Sequence, residues 1–155
     1  MESKKPSVPS VIEFTHGARL PEMRLHCPTQ ILVLDDTDGP ADILSDMLGR
    51  LYECCVSYTL VSHNRDAINA LDCYKYDLLL IGLEHKSLDL LALVPDIRKN
   101  YPDMPIILTK RTVSAANREQ AYALGLDMLI ELPRTASSLK ALLKLLAEHY
   151  LNAAC

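Results

Sequence analysis

Between Gln30 and Tyr150 the chain alternates five times between a short apolar run and a segment of helical spacing. No other feature restricts the fold as much. The runs are Ile31-Leu32-Val33-Leu34, Cys54 to Val61, Asp77 to Ile81, Pro105-Ile106-Ile107-Leu108-Thr109 and Asp127 to Glu131. The first is continuously apolar rather than alternating, as in a strand covered on both faces. Ile43, Leu44, Met47, Leu48 and Leu51 then predict a helix from about Pro40 to Tyr52, with Pro40 tolerated in its first turn. Asn64 can cap a second helix carrying Ala67, Ile68 and Leu71. Ser87 can cap a third, but Pro95 falls inside its apolar pattern. Proline in a helix interior costs ~3 kcal/mol, so a kink, or a break with a restart at Pro95, is expected. Ser114 to Leu124 predicts a fourth helix closed by Gly125. Thr135 or Ser137 caps the last, which carries Leu139, Leu142, Leu143, Leu146 and Tyr150 on one stripe.

Short strands alternating with helices imply a parallel sheet covered on both faces by right-handed crossovers. The expected architecture is α/β: a flavodoxin-like (βα)5 three-layer sandwich with parallel strand order 2-1-3-4-5. Its functional crevice should open at the carboxyl ends of the first and third strands. A domain over residues 29–152 follows. Residues 1–28 contain Pro6, Pro9, Pro21 and Pro28 without a sustained period. They read as a leader, partly disordered or packed as an arm through Val11, Ile12 and Phe14.

A chain of 155 residues fits one domain. Hydrophobic residues make up 49%, with one Phe and no Trp, so aliphatic side chains must fill the core. The net charge of −4 argues against nonspecific nucleic-acid binding, which needs a basic face to replace counterions. Five cysteines form no CxxC and no metal spacing, as expected of a reduced, cytoplasmic chain. Neither a signal segment nor a run long enough to span a bilayer is present. There is no GxGxxG and no GxxxxGK[ST]. The loop Asp36-Thr37-Asp38-Gly39 follows the first strand where a flavin phosphate would sit, and its two acids would repel one. No cofactor is expected. The five histidines form no HExxH and no serine sits in GxSxG, so enzymatic chemistry is not expected either.

The strand ends carry an ordered set of residues: Asp35 and Asp36, then Gly82, then Thr109, then Leu132-Pro133. With "ILVLDD", "YDLLLIG", "PIILT" and "GLDMLIELP", the chain resembles response-regulator receiver domains over about Gln30 to Tyr150. In an active receiver acidic side chains hold a divalent cation, a carboxylate attacks phosphorus, and a lysine neutralises the developing charge. The resemblance implies that Asp36 matches the direct metal ligand, Asp35 its partner acid, and Thr109 the hydroxyl that bonds the phosphoryl oxygen. Gly82 stands in place of the phosphoacceptor, Leu132 in place of the lysine, and Leu129 where an aromatic switch residue is common. Lys110 follows Thr109 where a small residue is usual, and its ammonium could serve Asp35 and Asp36 as a built-in counter-ion. No metal is expected, since Asp35 and Asp36 alone would hold magnesium weakly.

These departures describe a degenerate receiver, or pseudo-receiver, acting as a phosphorylation-independent protein-interaction module. No output domain is expected after Cys155, so binding itself is the expected output. By the same resemblance, Ala115, Ala116, Tyr122, Leu129, Leu139 and Leu143 are candidate contacts for a partner protein or a homodimer. One alternative is a small-ligand or second-messenger sensor using Lys110 and Arg111, which form a small basic cluster with Arg118. Another is a residual phospho-switch with an atypical acceptor such as Glu84 or His85; Asp77 lies at the far end of its strand.

Overall fold

Successive side chains of the central strand point into two different cores, and the rest of the molecule is arranged around that alternation. The computed structural model describes residues 11–14, 29–52, 55–82 and 90–150. Its elements are β1 (Val11–Phe14), β2 (Thr29–Leu34), α1 (Pro40–Leu51), β3 (Val56–Val61), α2 (Asn64–Cys73), β4 (Leu78–Ile81), α3 (Leu90–Asn100), β5 (Ile106–Lys110), α4 (Ala115–Leu124), β6 (Met128–Glu131) and α5 (Ala136–Tyr150). They build one six-stranded sheet in the order β1-β6-β5-β4-β2-β3. The strands β2 to β6 are parallel, in the predicted 2-1-3-4-5 order. Strand β1 joins the β6 edge antiparallel, with Val11 opposite Glu131 and Phe14 opposite Met128.

Adjacent strand residues face opposite sides of a sheet. Leu78 and Leu80 enter one core with residues of α1 and α5, including Leu44, Leu48, Leu142 and Leu146. Leu79 and Ile81 enter the other with Ala67, Leu93, Ile97 and Ala121 from α2, α3 and α4. Both cores are aliphatic, as the shortage of aromatics requires.

Local chemistry sets both ends of α4 and the start of α5. Ser114 accepts a hydrogen bond from the Asn117 N–H at 3.1 Å, and Asn117 Oδ1 accepts from the Ser114 N–H at 2.9 Å. This reciprocal box starts α4. Gly125, in the left-handed region at φ 71°, ends it. Of the two candidate caps for α5, Thr135 acts: its Oγ1 accepts from the Ser138 N–H at 3.2 Å.

Three expectations are corrected. His63, not Asn64, is the N-cap of α2; its backbone is extended and Asn64 is the first helical residue. Of the kink or break expected at Pro95, the break is absent: α3 runs from Leu90 to Asn100 with Pro95 inside it. The bond that Pro95 cannot make would have gone to the carbonyl of Leu91. Both residues lie on the exposed side of the helix, open to solvent. Finally, Leu129 and Leu143 are core residues, 0% and 5% exposed, and cannot offer side chains to a partner. Ser87 lies outside the described residues.

Candidate functional site

Asp35 leaves β2 at its carboxyl end and turns inward, where it is 1% exposed. Its backbone N–H continues the sheet by donating to the Val61 carbonyl at 2.9 Å. Both oxygens of the carboxylate accept from nearby backbone. Oδ1 accepts the Asp36 N–H at 2.8 Å, and Oδ2 accepts those of Ala41 at 2.8 Å and Asp42 at 3.0 Å. The last two are first-turn donors of α1, which lack partners inside the helix. The helix N-cap, Gly39, has no side chain to offer them, so Asp35 reaches across from β2 to do so. Burial pushes the Asp35 carboxyl above the usual aspartate value. The three N–H groups pull the other way, and the like charge of Asp36 adds to the rise.

Two glycines make the space for that carboxylate. A Cβ at Gly39 would overlap the Asp35 carboxyl group. A Cβ at Gly82 would stand 2.5 Å from Asp35 Oδ2, 2.7 Å from Ala41 Cβ and 2.8 Å from the Ala41 backbone nitrogen. The Gly82 N–H donates to the Leu34 carbonyl at 2.9 Å, which fixes this backbone against β2. The ground in front of Gly82 is thus held by the Asp35 carboxylate and the start of α1.

The loop between β2 and α1 is tied down on its other side. Asp42 Oδ2 accepts the Asp38 N–H at 2.8 Å, while Asp38 sits in the left-handed region at φ 66°. Arg111 Nη2 donates to the Asp38 carbonyl at 2.6 Å, joining the exit of β5 to this loop. Asp36 is exposed at the rim. Thr109 is buried at the end of β5, and its Oγ1 has no hydrogen-bond partner among the described residues. Lys110 follows it, half-buried and in register with Glu131 on β6. Glu131 Oε1 accepts the Val113 N–H at 3.0 Å and so anchors the loop after β5. Leu132 packs against the core that holds α1 and α5. Glu84 and His85 lie outside the described residues.

These donors do not fit a resident magnesium ion. The ion needs several oxygen ligands in octahedral array, whereas both Asp35 oxygens serve N–H groups and Gly82 has no side chain to supply one. Among the described residues, no three His, Cys, Asp or Glu side chains gather as a metal site.

Sequence reading identified the acids, Gly82 and Thr109 as neighbours, and all lie at the carboxyl ends of β2, β4 and β5. It missed the use of Asp35 as a helix cap and the reach of Arg111 to Asp38. The available signal for the former was Gly39-Pro40, a helix start with no capping side chain of its own. Of the candidate contact residues, Ala115, Ala116 and Tyr122 are exposed on α4, and Leu139 is half-buried on α5.

No protein-family model and no curated protein matches the chain. Solved structures do. The E. coli RcsC C-terminus, containing its linker region and phosphoreceiver domain, is 26% identical with a TM-score of 0.61; the match covers 83% of this chain and 49% of that one. The fold is that of a receiver domain. A two-component response regulator from Clostridium difficile (24% identity, TM-score 0.60) is covered over 96% of its length by 77% of this chain. The chemotaxis protein CheY4 of Vibrio cholerae (16% identity, TM-score 0.61) is covered over 99% by 79% of this chain. This chain spans about half the length of the RcsC fragment. No helix among the described residues is long and apolar enough to cross a membrane.

Proposed function

We propose that this protein is a pseudo-receiver: a signalling module that acts by binding a protein partner, without phosphorylation and without catalysis of its own. One observation carries the reading. The place where an acceptor side chain would project is filled by the protein's own Asp35 carboxylate, clasped between Gly39 and Gly82 on the first turn of α1. A receiver switches because its phosphoryl group binds one conformation better than another. Here an internal carboxylate already occupies the helix end, so one conformation is favoured permanently. Ala115, Ala116 and Tyr122 on α4 offer an exposed contact surface, for a signalling protein of the two-component class or for a second copy. A small-ligand sensor has less support, because Arg111 is turned to the Asp38 carbonyl.

The test is incubation with acetyl phosphate and magnesium, read by intact mass and by hydroxylamine lability. The expected result is no acyl phosphate on the wild-type chain. Gly82→Asp is expected to take up none either, since Asp35 and the Ala41 backbone remain in the way. Hydroxylamine-labile phosphate on the wild-type chain would sink the proposal.

A further inference from the structure

The two edges of the sheet differ. On the β6 side the chain adds β1 as an antiparallel cover. On the other side β3 is the last strand, and among the described residues nothing pairs with its outer side. Natural edge strands usually discourage an added strand with charge, proline or a bulge. Val56–Val61 has no charge and no proline, and it pairs with β2 in unbroken register along its length.

Main-chain directions show which groups this edge offers. The Thr29 N–H donates to the Cys55 carbonyl at 2.6 Å and the Asp35 N–H to the Val61 carbonyl at 2.9 Å. Cys55 and Val61, and with them Ser57 and Thr59, therefore turn their main chain toward β2. Alternate residues of a strand point the opposite way, so the N–H and C=O groups of Tyr58 and Leu60 face outward. The side chains of these two residues lie together, half-buried against the core that α1 covers. Directly opposed residues in an antiparallel pair share a sheet face. Whatever pairs with Tyr58 and Leu60 thus sets its own side chains beside α1.

That face is acidic. Asp42 and Asp46, one turn apart on α1, are both within hydrogen-bond reach of the Tyr58 phenol, which burial and then their charges push above the usual tyrosine value. Asp42 also accepts the Asp38 N–H. Asp46 pairs with Arg50 at 3.0 Å, but that pair is open to solvent, and exposed pairs hold little energy. Gly49 lies on the same stripe of the helix. A Cβ there would meet nothing within 4 Å, which leaves room beside Asp46 for a long side chain.

We infer that the β3 edge is the docking site for an extended basic segment of a partner protein, which joins the sheet as a further, antiparallel strand. Read from the partner's amino end, an apolar residue opposes Leu60. Two positions on, a lysine or arginine opposes Tyr58 and reaches Asp42 and Asp46. Main-chain pairing supplies the affinity of such a complex, and the alternate side chains its specificity. A second copy fits poorly. Pairing β3 with itself about a two-fold axis would gather Asp42 and Asp46 of both chains over one face, like charge against like. The inference rests on the interaction-module reading and deepens it by giving the partner's chemistry. Its failure would leave the acetyl phosphate result untouched.

The probe is an end-blocked peptide in which threonine alternates with valine, arginine and arginine, in that order from the amino end. It is titrated into the full chain labelled with nitrogen-15, and amide shifts are followed. Saturable shifts should be largest at Tyr58 and Leu60. A twin with glutamate in place of arginine should bind about tenfold more weakly. A twin N-methylated at the valine and the first arginine, whose N–H groups face β3, should not bind. Asp46→Lys, a change at an exposed position, should weaken the arginine peptide and strengthen the glutamate twin. Equal binding of the three peptides, shifts centred elsewhere, or no saturable binding would overturn the inference. So would a concentration-dependent dimer that moves the Tyr58 and Leu60 amides without peptide, since the edge would then serve a second copy.

Discussion

Asp35 is held by opposing influences whose balance can be measured. Burial raises its folded pKa above the ordinary 3.8, against the pull of its N–H partners. The folded state therefore binds this proton more tightly than the unfolded chain does. The resulting stability is fully present below about pH 3.8 and is lost as pH rises through the raised folded value. The difference in unfolding free energy, wild type minus Asp35→Asn, should fall as pH rises out of the acid range and then level off. Urea unfolding between about pH 3.5 and pH 7 reads this directly, because titrations common to both proteins cancel; a flat difference would contradict it. Thr109 offers a simpler case. Its hydroxyl is buried with no partner among the described residues, and an unmet buried hydroxyl costs about 1–3 kcal/mol. Thr109→Val keeps the shape and removes that group. It should raise stability by about 1 kcal/mol, seen as a higher urea midpoint with unchanged slope.

Between elements, Arg98 performs a joining role that no local pattern announces. From α3, its Nη1 donates to the Met104 carbonyl at 2.5 Å, and its Nη2 to the Gly125 carbonyl at 3.0 Å and to Asp127 Oδ2 at 2.8 Å. The same Asp127 oxygen accepts the Ile106 N–H at 2.8 Å. One partly buried pair thus binds the end of α3, the start of β5, the end of α4 and the start of β6. Arg98→Ala should cost about 2–3 kcal/mol, because it strips charge-assisted bonds from groups shielded from water. Asp127→Asn should cost less, and a double-mutant cycle should return a coupling of about 1 kcal/mol. Additive effects would show the pair to be independent. This clamp also marks the limit of sequence reading. The five parallel strands and five helices were legible because each carries its own periodicity or caps, as Ser114 with Gly125 does for α4. Arg98 and Asp127 are 29 positions apart, and nothing along the chain pairs them. Strand β1 has four residues, too few for a period to stand out, and it exists through pairing with β6. Helix α3 carries Pro95 on its exposed side, which is a property of the assembled fold. At the site, residue identities placed Asp35, Gly82 and Thr109 together. The direction of the Asp35 carboxylate depended on a neighbouring helix end that had no cap of its own.

Across the whole molecule, the sheet is a partition shared by two cores, and this determines how the protein should come apart. Leu79 and Leu80 are neighbours on β4 and both are 0% exposed, yet they enter opposite cores. If the cores were separate cooperative units, truncating one residue would weaken one side and leave the other's transition in place. The geometry argues otherwise, since every parallel strand lends side chains to both cores and neither can lose its strands alone. Leu79→Ala and Leu80→Ala should each cost about 2–5 kcal/mol from lost burial and the cavity left behind. Each should move the same single unfolding transition, with far-ultraviolet circular dichroism and tyrosine fluorescence melting together. The double variant should show close to the sum of the two costs, because the side chains lie on opposite faces and share no partner across the backbone. Two separated transitions in either single variant would mean that the helices on one face can let go while the sheet and the opposite core persist.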